Sequence, residues 1–166
     1  MTTLRVFGTA DDSIVDGPGI RFSIFAQGCK HMCTGCHNPD ALPFEGGQEV
    51  LVEELMAQID ANPLLAGITL TGGEPFEQPK PFLELAEWAR GRGLNIWAYS
   101  GYMFDELIKA SPSEEAKELL LAVDVLVDGR FIEDQAIYDL KWRGSANQRI
   151  IDVPASLAAN EVIELS

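Results

Sequence analysis

Strands alternate with helices along these 166 residues, and each distinctive glycine-rich or polar motif follows a strand. Those two observations predict an α/β fold, an open or partial (β/α) barrel with a mainly parallel sheet. The motif placement matters because such sheets carry their ligand sites at the C-terminal ends of the strands. The four or five βα units visible are too few for a closed eight-stranded barrel.

Residues 4–7 open the chain as a short strand, and the turn-rich segment 11–19, punctuated by Gly17, Pro18 and Gly19, follows as a loop. Residues 20–26 alternate and are β-rich, which predicts the second strand. A helix is expected over 48–60, where Leu51, Leu55 and Ile59 recur at helical spacing beside Val52 and Met56. Asn62-Pro63 ends it. Residues 67–71 form the next strand, and 80–90 a second helix with Phe82, Leu85, Ala86 and Ala89 on one face. Gly91 and Gly93 suit its C-terminal stop. A strand over 94–99 and a short helix over 103–110 follow. Ser111, Pro112 and Glu114 read as N-cap, N1 and N3 of a helix running to about residue 122. Strands over 123–127 and 149–153 complete the pattern, with no repeat, linker or low-complexity segment between residues 1 and 166, so one domain is expected.

The formal net charge of −14 disfavours nucleic acid, whose phosphates need clustered Lys and Arg. No apolar run reaches the ~18 residues of a membrane span. Met1 to Arg5 lacks the apolar segment of a signal peptide. A cytoplasmic protein is expected, and an odd, clustered set of three cysteines does not read as a disulfide framework.

All three cysteines lie in one stretch, Cys29, Cys33 and Cys36, spaced C-x-x-x-C-x-x-C at the end of the second predicted strand. Three thiolates can hold a metal centre and leave one position of a four-site group vacant. One reading is structural zinc, completed by His31 or His37. The other is an iron–sulfur cluster, which thiolates also suit. Gly72, Gly73 and Glu74, followed by Pro75, leave the next strand at the same predicted sheet end. The two glycines allow close backbone approach to a ligand, and Glu74 can accept from an ammonium or orient the loop. Ser100 with Gly101, and Asp128 with Gly129 and Arg130, leave later strands and converge on the same mouth.

Together the cysteine spacing and the Gly72-Gly73-Glu74-Pro75 loop resemble the radical S-adenosylmethionine superfamily. Asp16-Gly17-Pro18-Gly19-Ile20-Arg21 is similar to the glycyl-radical-enzyme activases. The stretch 33–39, Tyr99 to Tyr102, Val127 to Phe131 and Arg143 to Asp152 resemble one branch of these, the anaerobic ribonucleoside-triphosphate reductase activating proteins. The resemblance implies a 4Fe-4S cluster on Cys29, Cys33 and Cys36, with S-adenosyl-L-methionine on the open iron. It implies that Gly72, Gly73 and Glu74 hold the methionine amino end, and that Gly35, Cys36 and His37 run along the adenosine. Many superfamily members carry an aromatic residue where this chain has Gly35, which leaves His37 or Met32 to meet the adenine. Ser100, Asp128 and Arg130 occupy positions that touch the cofactor, with Arg130 suited to a carboxylate. The implied partner is the glycyl radical subunit of an anaerobic ribonucleoside-triphosphate reductase, with reduced flavodoxin or ferredoxin as electron donor. Two rivals stand beside this: a small-molecule radical enzyme similar to 7-carboxy-7-deazaguanine synthase, and a non-catalytic zinc-binding adaptor. Trp88, Trp97 and Trp142 read as core or rim aromatics. The stretch 143–149 either docks the partner's glycine loop or fixes the last strand.

Overall fold

In the computed structural model, which describes residues 2–31, 33, 36, 39–136 and 142–165, the chain opens with a long strand, β1 (Thr3–Ser13). It turns back into β2 (Arg21–Ala26), paired antiparallel to it. A short strand, β3 (Gln48–Leu51), lies antiparallel on the other side of β1. Then β4 (Gly67–Gly72), β5 (Asn95–Tyr99) and β6 (Val125–Asp128) add to β2 in parallel. β7 (Arg149–Asp152) closes the far edge antiparallel to β6. The seven-stranded order is β3-β1-β2-β4-β5-β6-β7. The sheet is therefore mixed, parallel through its centre and antiparallel at both edges.

Helices α1 (Val52–Asp60), α2 (Pro79–Gly91), α3 (Phe104–Leu107), α4 (Glu114–Ala122) and α5 (Val153–Ala159) connect and cover the strands. Strand side chains alternate between faces. Phe22, Ile24, Ile68, Leu70, Ile96, Ala98 and Leu126 form one continuous core with Leu55, Phe82, Leu85, Leu119 and Leu120 of the helices. Each fully buried Leu or Phe contributes about 2 kcal/mol over an exposed one. The alternate residues face the other way. There Trp97, Val125 and Val127 pack with Tyr99, Trp142 and Ile150, and Ser23 and Thr69 are buried.

Arg21 organises that second face. Its Nε donates to Thr69 Oγ1 at 2.8 Å, Nη1 to the Pro18 carbonyl at 3.0 Å, and Nη2 to the Ile68 carbonyl at 2.8 Å and to Asn95. Burial pushes its pKa down to about 10, so it stays charged at neutral pH. The 16–21 segment, which runs into β2, is thereby tied to β4 and β5.

Several local expectations shift. Residues 48–51 are strand, not the first turn of a helix, because they pair with Thr3 to Val6; the helical stripe is real only from Val52 onward. The helix N-cap is Ser113, not Ser111: its Oγ accepts from the Ala116 N–H at 3.1 Å. The helix expected over 103–110 is confined to Phe104–Leu107. α5 was not anticipated, although Asp152 caps it by accepting from the Ala155 N–H at 3.0 Å, and Pro154 stands in its first turn. Among the described residues no helix is long and apolar enough to cross a membrane.

Candidate cluster and cofactor site

Because β2, β4, β5 and β6 are parallel, their C-terminal ends share one side of the sheet. The loops that leave these ends line one cavity of about 490 Å³. Cys29, Cys33 and Cys36 come from the loop after β2, Gly72 from the end of β4 and Gly73 from the loop after it, Ser100 and Gly101 from the loop after β5, and Gly129, Arg130 and Phe131 from that after β6. Gly35 and His37, and with them Met32, lie outside the described residues.

The β4 loop is pressed against the base of the cysteine loop. Gly73 N–H donates to the Ala26 carbonyl and Glu74 N–H to the Gly28 carbonyl, both at 2.8 Å. A Cβ on Gly73 would stand 2.5 Å from the Gly28 oxygen and 2.8 Å from the Ala41 oxygen, so the approach requires glycine. Gly72 adopts φ 100°, which glycine takes without strain.

Glu74 lies behind this wall, fully buried, and is not among the cavity-lining residues. Oε1 accepts from Gly101 N–H at 2.8 Å, Ser100 Oγ at 3.0 Å and His31 Nε2 at 2.7 Å. Oε2 accepts from Phe76 N–H at 3.1 Å, capping the single turn Pro75–Glu77. The His31 Nε2 is thus engaged by a carboxylate. Asp128 is likewise fully buried and lies off the cavity. It accepts from Phe104 N–H at 2.7 Å, at the start of α3, and from Arg149 at 2.6 and 3.0 Å. Arg130 is exposed at the cavity wall.

The donor set has the chemistry of a cluster site. Burial pushes the Cys29 thiol up to about 11, with Glu74, Cys33 and Cys36 adding to the rise and the His31 N–H opposing it. Burial also raises Cys33, against the Phe131 N–H and the Arg130 charge. Neutral thiols gathered in a half-buried cavity are what a positively charged centre converts to thiolates. Among the described residues no three His, Cys, Asp or Glu side chains converge as for a single ion. The cysteines instead stand around a cavity, and a four-iron cluster takes each thiolate on a different iron. The residues present fit such a group.

Residue-by-residue reading passed over part of the wall. Asp16, Tyr99, Trp142, Arg143 and Gln148 also line the cavity. Asp16 Oδ2 accepts from Ser13 and Ser23 at 2.7 and 3.0 Å. Gln148 accepts from Gly144 and Ser145 N–H and donates to the Gly129 carbonyl at 3.0 Å, folding the 143–148 turn onto the β6 loop. The available signal for Asp16, Tyr99, Arg143 and Gln148 was their membership of the stretches 16–21, 99–102 and 143–152, while Trp142 stands just before the last of these.

A family model described as a 4Fe-4S single cluster domain matches residues 15–151. An anaerobic ribonucleoside-triphosphate reductase-activating protein of Haemophilus influenzae is 37% identical over 82% of this chain and 90% of that protein. Proteins of the same description from Vibrio cholerae and Escherichia coli are each 34% identical, over 82% and 81% of this chain respectively and 90% of their own length. The chain belongs to the 4Fe-4S single cluster domain family, and its curated relatives place it among the anaerobic ribonucleoside-triphosphate reductase-activating proteins.

Proposed function

We propose that this chain is an iron–sulfur activating enzyme that generates a glycyl radical on an anaerobic ribonucleoside-triphosphate reductase. The observation that carries the reading is the meeting of Cys29, Cys33 and Cys36 with the ends of three parallel strands around one cavity. When bound, a 4Fe-4S cluster and S-adenosyl-L-methionine supply reductive cleavage of the sulfonium, and so the 5′-deoxyadenosyl radical that takes a hydrogen atom from glycine.

The chain's own residues bind, orient and enclose. Cys29, Cys33 and Cys36 hold the cluster. Gly72 and Gly73 offer backbone groups to the methionine amino end, while Glu74, buried behind them, fixes the shape of that loop. Cys36, with Gly35 and His37, runs along the adenosine, and Ser100 stands at the same wall. Arg130 takes the carboxylate, for which a guanidinium is suited. Asp128 works at one remove, holding the start of α3 and Arg149. Tyr99, Phe131 and Trp142 supply aromatic wall that keeps water from the reacting atoms. On this reading the seven-stranded sheet is a partial barrel in a single radical S-adenosylmethionine domain, in the cytoplasm, with reduced flavodoxin or ferredoxin as the electron source.

The test is anaerobic. Reconstituted protein should hold about four irons per chain, and Cys33→Ala should lose cofactor cleavage. Mixed with the reductase, reductant and S-adenosyl-L-methionine, the wild type should yield a glycyl radical in the electron paramagnetic resonance spectrum. Cofactor cleavage without that radical would assign the enzyme another substrate, and tight zinc without iron would remove the enzymatic reading.

A further inference from the structure

We propose that His31 is a positioning residue for the cluster: by closing on Glu74, it holds the segment between the first two cysteines against the ends of β4 and β5. The inference rests on the cluster reading above.

His31 stands two residues from each of Cys29 and Cys33. A histidine in a polar loop ordinarily keeps its ring in water, yet this side chain is only 4% exposed. Burying an imidazole is unfavourable unless its N–H finds a partner, and the partner here is Glu74 Oε1 at 2.7 Å. The other donors to that carboxylate, Phe76 N–H, Ser100 Oγ and Gly101 N–H, all come from the β4 and β5 loops. His31 alone among them belongs to the cysteine loop.

The seat is also shaped for an imidazole. A Cβ on Gly101 would stand 2.4 Å from His31 Cδ2, so the ring occupies the space that a side chain at 101 would take. Tyr102 meets the ring edge-on, with centroids 4.5 Å apart and planes at 73°. Its hydroxyl is held by Glu77, which also pairs with Lys30 at 3.4 Å. Two consecutive residues of the cysteine loop, Lys30 and His31, are therefore fastened to the acidic residues on either side of Pro75-Phe76. Partners that orient ligand-bearing segments alter metal affinity about 10- to 100-fold when removed. Glu74 keeps its other donors without His31, so the fold tolerates the change.

The test uses the full chain, reconstituted anaerobically with iron and sulfide and then exposed to a ferrous chelator. His31→Ala should lose iron about 10-fold faster than wild type, with altered line shape in the reduced cluster's paramagnetic spectrum. His31→Gln, which restores an N–H to Glu74, should recover most of the retention. Gly101→Ala fills the seat and should behave like His31→Ala, an independent check should His31→Ala fold poorly. Wild-type iron retention in both His31→Ala and Gly101→Ala overturns the proposal, as does a loss that His31→Gln leaves unrepaired. A wild-type chain that takes up no iron defeats the cluster reading itself, a different outcome from iron uptake that ignores residue 31.

Discussion

Cys29 and Asp128 differ in the partners that surround them. The Cys29 thiol, pushed up to about 11 by burial, lies well above the ~8.5 of a free thiol. Between those values the metal-free native chain keeps a proton that the unfolded chain has released. Stability is thus present below about pH 8.5 and is lost as pH rises toward about 11. A pH series of urea melts on metal-free protein should show that decline, and the iron-bound protein should lack it, because a coordinated thiolate carries no proton to lose. Asp128 is buried with its carboxylate oxygens held by Arg149 and the Phe104 N–H. Asp128→Ala leaves Arg149, at 22% exposure, with the longer 3.8 Å contact to the exposed Asp105 in place of its buried partner and should cost on the order of 3 kcal/mol, read as a lowered urea midpoint. Its sequence neighbours gave no hint of this. A carboxylate after a strand suits a ligand, a cap or an ion pair equally, and the deciding partner, Arg149, lies 21 positions away.

At the scale of elements, local signals fixed existence better than edges. The α4 cap is a direct case. Ser111-Pro112 and Ser113-Glu114 carry the same start chemistry two residues apart, and only the Ser113 Oγ reaches an amide of the first turn. Ser113→Ala should therefore cost about 1 kcal/mol, while Ser111→Ala should change stability by less than about 0.5 kcal/mol; equal losses in denaturant melts would refute the assignment. β3 was hidden for a different reason. Gln48 to Leu51 carries apolar residues that also fit a helical stripe, and its strand state comes from pairing with Thr3 to Val6, more than forty positions earlier. Helix α2, by contrast, was readable nearly to its ends, because Phe82, Leu85, Ala86 and Ala89 repeat at helical spacing and Gly93, at φ 77°, follows its stop. The loops of the site were legible as residue types, and their convergence followed from the parallel order of the strands.

For the whole molecule, the parallel centre could be read from the alternation of strands and helices, but the antiparallel edges could not, since they depend on which distant strand each end meets. The main core joins six strands and five helices and contains no cysteine. Stripping the iron should accordingly leave a cooperative thermal transition and an unchanged far-ultraviolet circular dichroism spectrum, while cofactor cleavage disappears; collapse of the spectrum on chelation would show the centre to be part of the folding core. The cavity itself draws on residues from Val15 to Gln148, and its last wall is set by the turn that leads into β7. That spacing has a consequence for biosynthesis. While the ribosome is still making the polypeptide, the three cysteines emerge early and wait, without a finished pocket, until Gln148 has left the exit tunnel. A pocket whose wall reaches residue 148 is complete only once nearly the whole polypeptide has been made.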